Sequence, residues 1–372
     1  MIACALIAIA LLAYTYAGYP IAIGLLARLF PGRRAGPPAS GAPAPRVTVC
    51  LPVYNGAAYL PAKIRSLFAQ DYPADRFEII VYCDGIGDDS ERIARELAAS
   101  PEAAGRLRVI VAPERKGKPT ALNVMGQAAT GDLLLLNDVR QPLSPRAMSA
   151  LVAAMADDAV GCATGNLVLA GPAGSGVYWR YENWIRLQES RFRGVVGMTG
   201  PIAMMRRADL RPLPEDLILD DVWIPMQLGL AGKRVVFVPE AEAHDAAFDD
   251  DREFRRKART LAGNYQLFAR MPALLVPFRN RIWFETFSHK IMRLVAPWLL
   301  VLLAFTTAAA ALTTGSAGML ALLVGQVGFY AAAAVGGRAG RLAGVARTFV
   351  VLNAAALAGL YRFLTGRQRV TW

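Results

Sequence analysis

The sequence is short of charge, lysine, histidine and cysteine. Charged residues make up 19% of its 372 positions, where a soluble domain carries about 25%. Hydrophobic residues reach 55%, which excludes a disordered chain and points to a membrane protein. Six lysines stand against thirty-five arginines, and the net charge is +12. Arginine stays charged and forks onto phosphate oxygens, so the charge balance admits anionic lipid, nucleic acid or a phosphorylated small molecule as partner. His244 and His289 are the only histidines, too few for a histidine-built metal site. The four cysteines, Cys4, Cys50, Cys83 and Cys162, form no C-x-x-C; reduced core thiols are expected.

Charge is absent from Met1 to Ala27 and again from Leu294 to Gly337. One membrane helix needs about 20 apolar residues. The first run predicts one retained helix, since Arg28, Arg33 and Arg34 follow it, whereas a signal peptide carries its basic residues first. The second run predicts a helical pair broken at Thr313–Ser316, with Lys290 and Arg293 before it and Arg338 and Arg341 after it. Basic flanks lie on the cytoplasmic side. A shorter run, Thr348 to Tyr361, has arginines at both ends; it suits a helix on the cytoplasmic interface or a further span. The expected organisation is a membrane helix over 1–30, a Pro/Gly/Ala-rich linker over 31–46, a cytoplasmic domain over 47–290 and a C-terminal membrane region over 291–372.

The middle of the chain alternates strand-like and helical stretches: strands Val47–Tyr54, Phe77–Cys83, Leu107–Ala112 and Asp132–Leu136, with helices Ala57–Ala69, Asp89–Ala98 and Pro119–Ala128 between and around them. Such alternation predicts an α/β fold on a mainly parallel sheet, whose ligands bind at the carboxyl ends of the strands. Polar residues gather there: Tyr54-Asn55 after the first strand, Asp84 to Asp89 after the second, Asn137-Asp138 after the fourth. No G-x-G-x-x-G and no G-x-x-x-x-G-K-[ST] is present, against a dinucleotide dehydrogenase and a P-loop NTPase. Single Asp and Asn residues at strand ends also form turns and caps. Their repetition at one edge points to a crevice where carboxylates hold Mg²⁺ or Mn²⁺ against a diphosphate.

From Val47 to about Pro297 the ordered motifs resemble a family 2 glycosyltransferase of the GT-A fold, similar to the bacterial cellulose, poly-N-acetylglucosamine and hyaluronan synthases. The motifs are P-x-Y-N at Pro52–Asn55, Asp84-Gly85 with Asp88 following, G-K-x-x-A-L-N at Gly117–Asn123, Thr199-Gly200, and Leu219-Asp220-Asp221. The resemblance implies a donor site of Tyr54, Asn55, Asp84, Asp88, Lys118 and Asp138, with Asp84 and Gly85 toward the nucleobase and Asp138 as metal ligand. It implies an acceptor and diphosphate side of Thr199, Gly200, Asp220, Arg256 and Arg259, and makes Asp221 the general base of an inverting transfer. Asp220-Asp221 also suits the start of a helix.

Two motifs depart from the family. Arg140 stands where D-x-D has its second Asp, and Arg256-Lys257-Ala258-Arg259-Thr260 keeps only the Arg of Q-x-x-R-W. A firm metal cage and processive polymerisation are therefore open. The aromatic residues of Tyr178–Phe192 suit a core more than a sugar platform. The resemblance implies a UDP-sugar donor, a glycan or lipid acceptor, membrane lipids and possible export-complex subunits as partners, no nucleic acid, and a place in the bacterial inner membrane. A catalytically weak subunit of a polysaccharide export complex is the alternative.

Overall fold

The computed structural model describes residues 1–32, 43–170, 174–246 and 250–368. Most of the expected linker, with Arg33 and Arg34, lies outside them. The N-terminal helix α1 runs Ile2–Leu29, with a wider turn at Tyr14–Gly18. The central domain then alternates as the sequence predicts: β1 Val47–Val53, α2 Leu60–Phe68, β2 Phe77–Asp84, α3 Ser90–Ala99, β3 Leu107–Ala112, α4 Lys118–Ala128, β4 Leu133–Asn137 and α5 Ala147–Ala154. β5 Val160–Ala170, α6 Gly174–Phe192, β6 Ile202–Arg206, α7 Asp220–Leu230, β7 Arg234–Ala246 and α8 Asp250–Arg270 complete it.

The seven strands form one sheet in the order β3-β2-β1-β4-β6-β5-β7. β1, β2, β3 and β4 are parallel, as the alternation requires. β6 runs antiparallel to both neighbours, which makes the sheet mixed. Every residue of β1 is buried, because both faces are covered. One face packs Val49, Leu51 and Val81 against Ile64 and Leu67 of α2 and Leu151 of α5. The other packs Cys50, Ile80 and Leu134 against Leu122, Met125 and Trp223. Reversal at β6 brings the segment before it, and α7 beyond it, to the same edge as the β1, β2 and β4 loops.

Three further helices follow: α9 Trp283–Thr314, α10 Ala317–Val335 and α11 Arg341–Leu364. Among the described residues, four helices are long and apolar enough to cross a membrane: α1, α9, α10 and Leu342–Leu364 of α11. The break between α9 and α10 falls at Gly315, where the sequence placed it. The last helix is longer than its apolar run. It extends back to Arg341 and packs along α8, where Gly359 lets the backbones touch: a Cβ there would lie 2.8 Å from Ala262 N. Twenty-four residues at 1.5 Å each reach about 36 Å, enough for a bilayer core.

A buried ionic seam joins the apolar helices α1 and α9 to the domain. Glu189 of α6 accepts from Tyr19 of α1 at 2.6 Å and faces His289 Nδ1 of α9 at 2.6 Å. Glu182, two turns earlier on α6, meets His289 Nε2 at 3.2 Å and Arg293 at 2.6 Å. Burial alone would raise the Glu182 carboxyl, but Arg293 and His289 hold it well below the usual carboxylate range. The aromatics of α6 serve this packing: Trp179 donates to Leu167 O and Tyr181 to Tyr16 O.

Candidate functional site

The site is assembled at the carboxyl edge of β1, β2 and β4. β2 ends at Asp84, which is fully buried. Its two oxygens accept the backbone amides of Lys116 and Gly117 at 2.7 and 2.8 Å. This fixes the loop that starts α4. Gly85 adopts φ +59, and a Cβ there would lie 2.2 Å from Arg115 N, so only glycine fits beneath that loop. Asp84 thus organises the Lys118 loop, with no face exposed toward a nucleobase.

Asn55 and Asp88 tie the first two loops together. Asn55 Oδ1 accepts Gly87 N at 2.9 Å, from a left-handed backbone at φ 47. Asp88 accepts Ala57 N at 3.0 Å and both the amide and hydroxyl of Ser90. Tyr54 presents its ring to the Arg115 guanidinium, 3.4 Å from the ring centroid.

Lys118 is the centre of the charge arrangement. Its Nζ lies 2.8 Å from Asp138 Oδ1 and 3.2 Å from Asp220 Oδ2. Burial would lower this ammonium, but Asp138 and Asp220 hold it above its ordinary range. Gly200 sits between the two acidic loops. A Cβ on it would lie 3.7 Å from Asp221 Oδ2 and 3.9 Å from Asp138 Oδ2. The turn before it is fixed by Thr199, whose hydroxyl donates to Gly165 O at 2.6 Å. Met198 N donates to Asp221 O at 2.8 Å, which docks the start of α7 on this turn.

Asp220 and Asp221 open α7, where carboxylates also suit the helix dipole. Burial and the neighbouring Asp220 charge push the Asp221 carboxyl up to about 6, against the opposing pull of Lys118, Lys290 and Arg259. Asp221 Oδ1 is buried and accepts no hydrogen bond among the described residues. A carboxylate near neutral pKa with an unused oxygen can receive a proton from a hydroxyl. Arg259 donates to Ile218 O at 3.1 Å, just ahead of this pair. Arg256, one turn earlier on α8, is exposed.

The donor set fits only one kind of metal binding. Among the described residues no three His, Cys, Asp or Glu side chains converge. Asp138 is one carboxylate with Oδ1 on Lys118. Arg140, at the second acidic position, instead donates to Asp245 Oδ2 through Nε at 3.1 Å and Nη2 at 2.5 Å. A hard divalent ion held by one carboxylate, waters and substrate phosphates matches that set, whereas an all-protein cage does not.

Sequence reasoning missed three charged groups here. Lys63 of α2 is fully buried, donating to Asn137 Oδ1 at 2.6 Å and Gln141 O at 2.7 Å. A signal existed, since Lys63 interrupts the apolar stripe of Leu60, Ile64 and Leu67. Asp245 joins the site only because β7 ends beside the Asp138 loop, which no spacing reveals. Lys290 was read for topology alone, yet its Nζ would lie 3.5 Å from a Cβ on Gly197, with Asp221 O at 3.7 Å from the same point.

The chain is similar to N-acetylglucosaminyltransferases of Mesorhizobium japonicum, 31% identical over 231 residues, and Sinorhizobium fredii, 32% identical over 226. These matches cover 56% and 55% of this chain and 53% of each relative; the matched part is about half the length of those proteins. Among solved structures it is similar to the mannosyltransferase PcManGT of Pyrobaculum calidifontis, in complex with GDP-Man and Mn2+. That match has a TM-score of 0.76 at 25% identity and covers 98% of this chain and 99% of the other. Residues 48–213 match the family described as Glycosyl transferase family 2, and 142–336, over half the chain, match Glycosyl transferase family group 2. With both descriptions meeting across the domain whose loops carry Lys118, Asp138 and Asp221, the chain belongs to glycosyltransferase family 2.

Proposed function

We propose that this protein is a membrane-bound inverting glycosyltransferase that moves a sugar from a nucleotide-diphosphate donor to a glycan or lipid-linked acceptor. The observation that carries this reading is Asp221, a carboxylate raised to about 6 with a free buried oxygen, beside the Lys118–Asp138 pair. The donor diphosphate lies at Lys118 and Asp138, in a pocket edge framed by Tyr54, Asn55 and Asp88, with Asp84 holding the Lys118 loop from beneath. Asp138 would hold Mg²⁺ or Mn²⁺, which supplies charge neutralisation for the leaving diphosphate. Thr199, Gly200, Asp220, Arg256 and Arg259 shape the acceptor side. Asp221 takes the acceptor hydroxyl proton as that oxygen attacks the anomeric carbon, and the nucleoside diphosphate leaves from the opposite face.

The four apolar helices support a membrane location, and the flanking arginines and lysines support a cytoplasmic catalytic domain. The names of the relatives make UDP-GlcNAc the first donor to try, and PcManGT makes GDP-Man the second. The test is nucleoside diphosphate release from a panel of nucleotide sugars by purified protein in bilayer discs, with Asp221→Asn as control. Release by wild type and not by the variant supports the reading. The alternative, a catalytically weak export-complex subunit, draws on the Arg140–Asp245 pair at the altered acidic motif. It predicts nucleotide binding with no release for any donor.

A further inference from the structure

The loop that presents Asp138 is held from two sides by ions that the sequence motifs do not contain. On the sheet side, the Lys63 amine donates to Asn137 Oδ1 at 2.6 Å and to Gln141 O at 2.7 Å. These acceptors bracket Asp138, one residue before it and three after. At the β7 end, a single oxygen of Asp245 accepts from Arg140 Nε at 3.1 Å, Arg140 Nη2 at 2.5 Å and Gln141 Nε2 at 2.6 Å. Lys63 is fully buried and the Asp245 side chain is 5% exposed. Removing Lys63 leaves Asn137 Oδ1 and Gln141 O short of a donor in a dry setting, which is costly, and removing Asp245 takes an anionic partner from Arg140 and an acceptor from Gln141. Such costs keep a loop in one conformation.

We propose that Lys63 and Asp245 are positioning residues of the donor site, which together fix the Asn137–Gln141 loop so that Asp138 meets the donor in one orientation without a second acidic ligand. The proposal rests on the donor role of Asp138 given above. Where a second carboxylate would share a metal and so order the loop, this chain orders the loop with protein–protein hydrogen bonds, and Arg140 serves as the link to Asp245. Lys63 acts through Asn137 and Gln141 and does not reach substrate. Burial lowers its amine to about 7, against the opposing pull of Asp138. The neutral amine still has two N–H donors, enough for both bonds.

The test measures the dissociation constant of UDP and of GDP by calorimetry, with Mg²⁺ present, on the full chain in bilayer discs. Lys63→Met and Asp245→Asn are each expected to weaken the better nucleotide by about tenfold or more, since small misplacements of a positioned group are amplified in binding. In an Asp138→Ala background, the same two substitutions are expected to add little, because the clamp works through Asp138. A merely structural role would lower the melting temperature in both backgrounds without this dependence. Equal nucleotide affinity in wild type and both variants would overturn the positioning role and leave the donor site standing. Equal further losses in the Asp138→Ala background would also overturn it. Failure of the wild type to bind either nucleotide would instead remove the donor reading on which the proposal rests. If Lys63→Met does not fold, Asp245→Asn at the strand end decides the question alone.

Discussion

Lys118 and Asp138 lie 2.8 Å apart although twenty residues separate them. The ammonium starts α4, after β3, and the carboxylate directly follows β4, so the pair exists only because two parallel strands end at one edge. Asp220 closes the group from a third element at 3.2 Å.

Asp221→Asn keeps the shape of the general base and removes its proton affinity. Turnover is expected to fall by about 10²–10⁴-fold with nucleotide affinity unchanged. The same variant is expected to melt higher above pH 6. The carboxyl is raised in the fold above the ordinary Asp value, so the fold favours its protonated form, and that contribution is lost as pH rises through about 6. Lower turnover with a lower melting temperature would contradict the burial argument.

The pH profile of kcat/KM follows from the same group. Activity is expected to rise with a midpoint near 6, because a protonated Asp221 cannot accept a hydrogen. Replacing Asp220 by Asn is expected to move the midpoint downward, since its charge is one cause of the rise. A midpoint unmoved by Asp220→Asn would show that burial alone sets it.

Asp138→Ala is expected to weaken nucleotide binding in Mg²⁺ or Mn²⁺ and to erase most of the difference between metal and chelator. Lys118→Met, which leaves Asp138 and Asp220 facing each other without a cation, is expected to weaken binding in both conditions. Calorimetry with and without metal separates the two; unchanged affinity in Asp138→Ala would remove its donor role.

Arg293→Met is expected to destabilise the protein by about 3–5 kcal/mol, because Glu182 would keep a buried charge with one partner gone. Thermal unfolding in detergent, followed by tryptophan fluorescence, measures this. A Glu182→Gln, Arg293→Met double variant is expected to recover part of the loss. No recovery would show that the two residues act independently.

An impermeant thiol probe tests which side the domain occupies. Cys4 is exposed and is replaced, while Cys50, Cys83 and Cys162 are buried. Glu102, exposed in the catalytic domain, is changed to Cys. Labelling is expected only after permeabilisation; labelling in intact cells would invert the topology and end the reading of a cytoplasmic catalytic domain.

Much of this was legible in the chain itself. The uncharged runs placed α1, α9 and α10 as helices long and apolar enough to cross a membrane, with the break at Gly315, since bilayer thickness sets a length that a sequence either meets or does not. Strand–helix alternation placed β1 to β4 within a residue or two, because both-sided burial demands continuous apolar runs. Ordered motifs named Lys118, Asp138 and Asp221, which the fold brings to one edge.

Tertiary structure decided what local pattern cannot carry. Antiparallel β6 depends on which edge of β4 is free, and no periodicity records that. Arg140 pairs with Asp245 across 105 positions, so its identity in the motif could not say where it points. Asp84 looked open at a strand end but turned both oxygens onto the Lys118 loop, where buried amides need acceptors. Lys63 carried no sign in the sequence of the partners that bury it. A charge enters a core only when distant groups supply its hydrogen bonds, and those groups meet only in the folded chain.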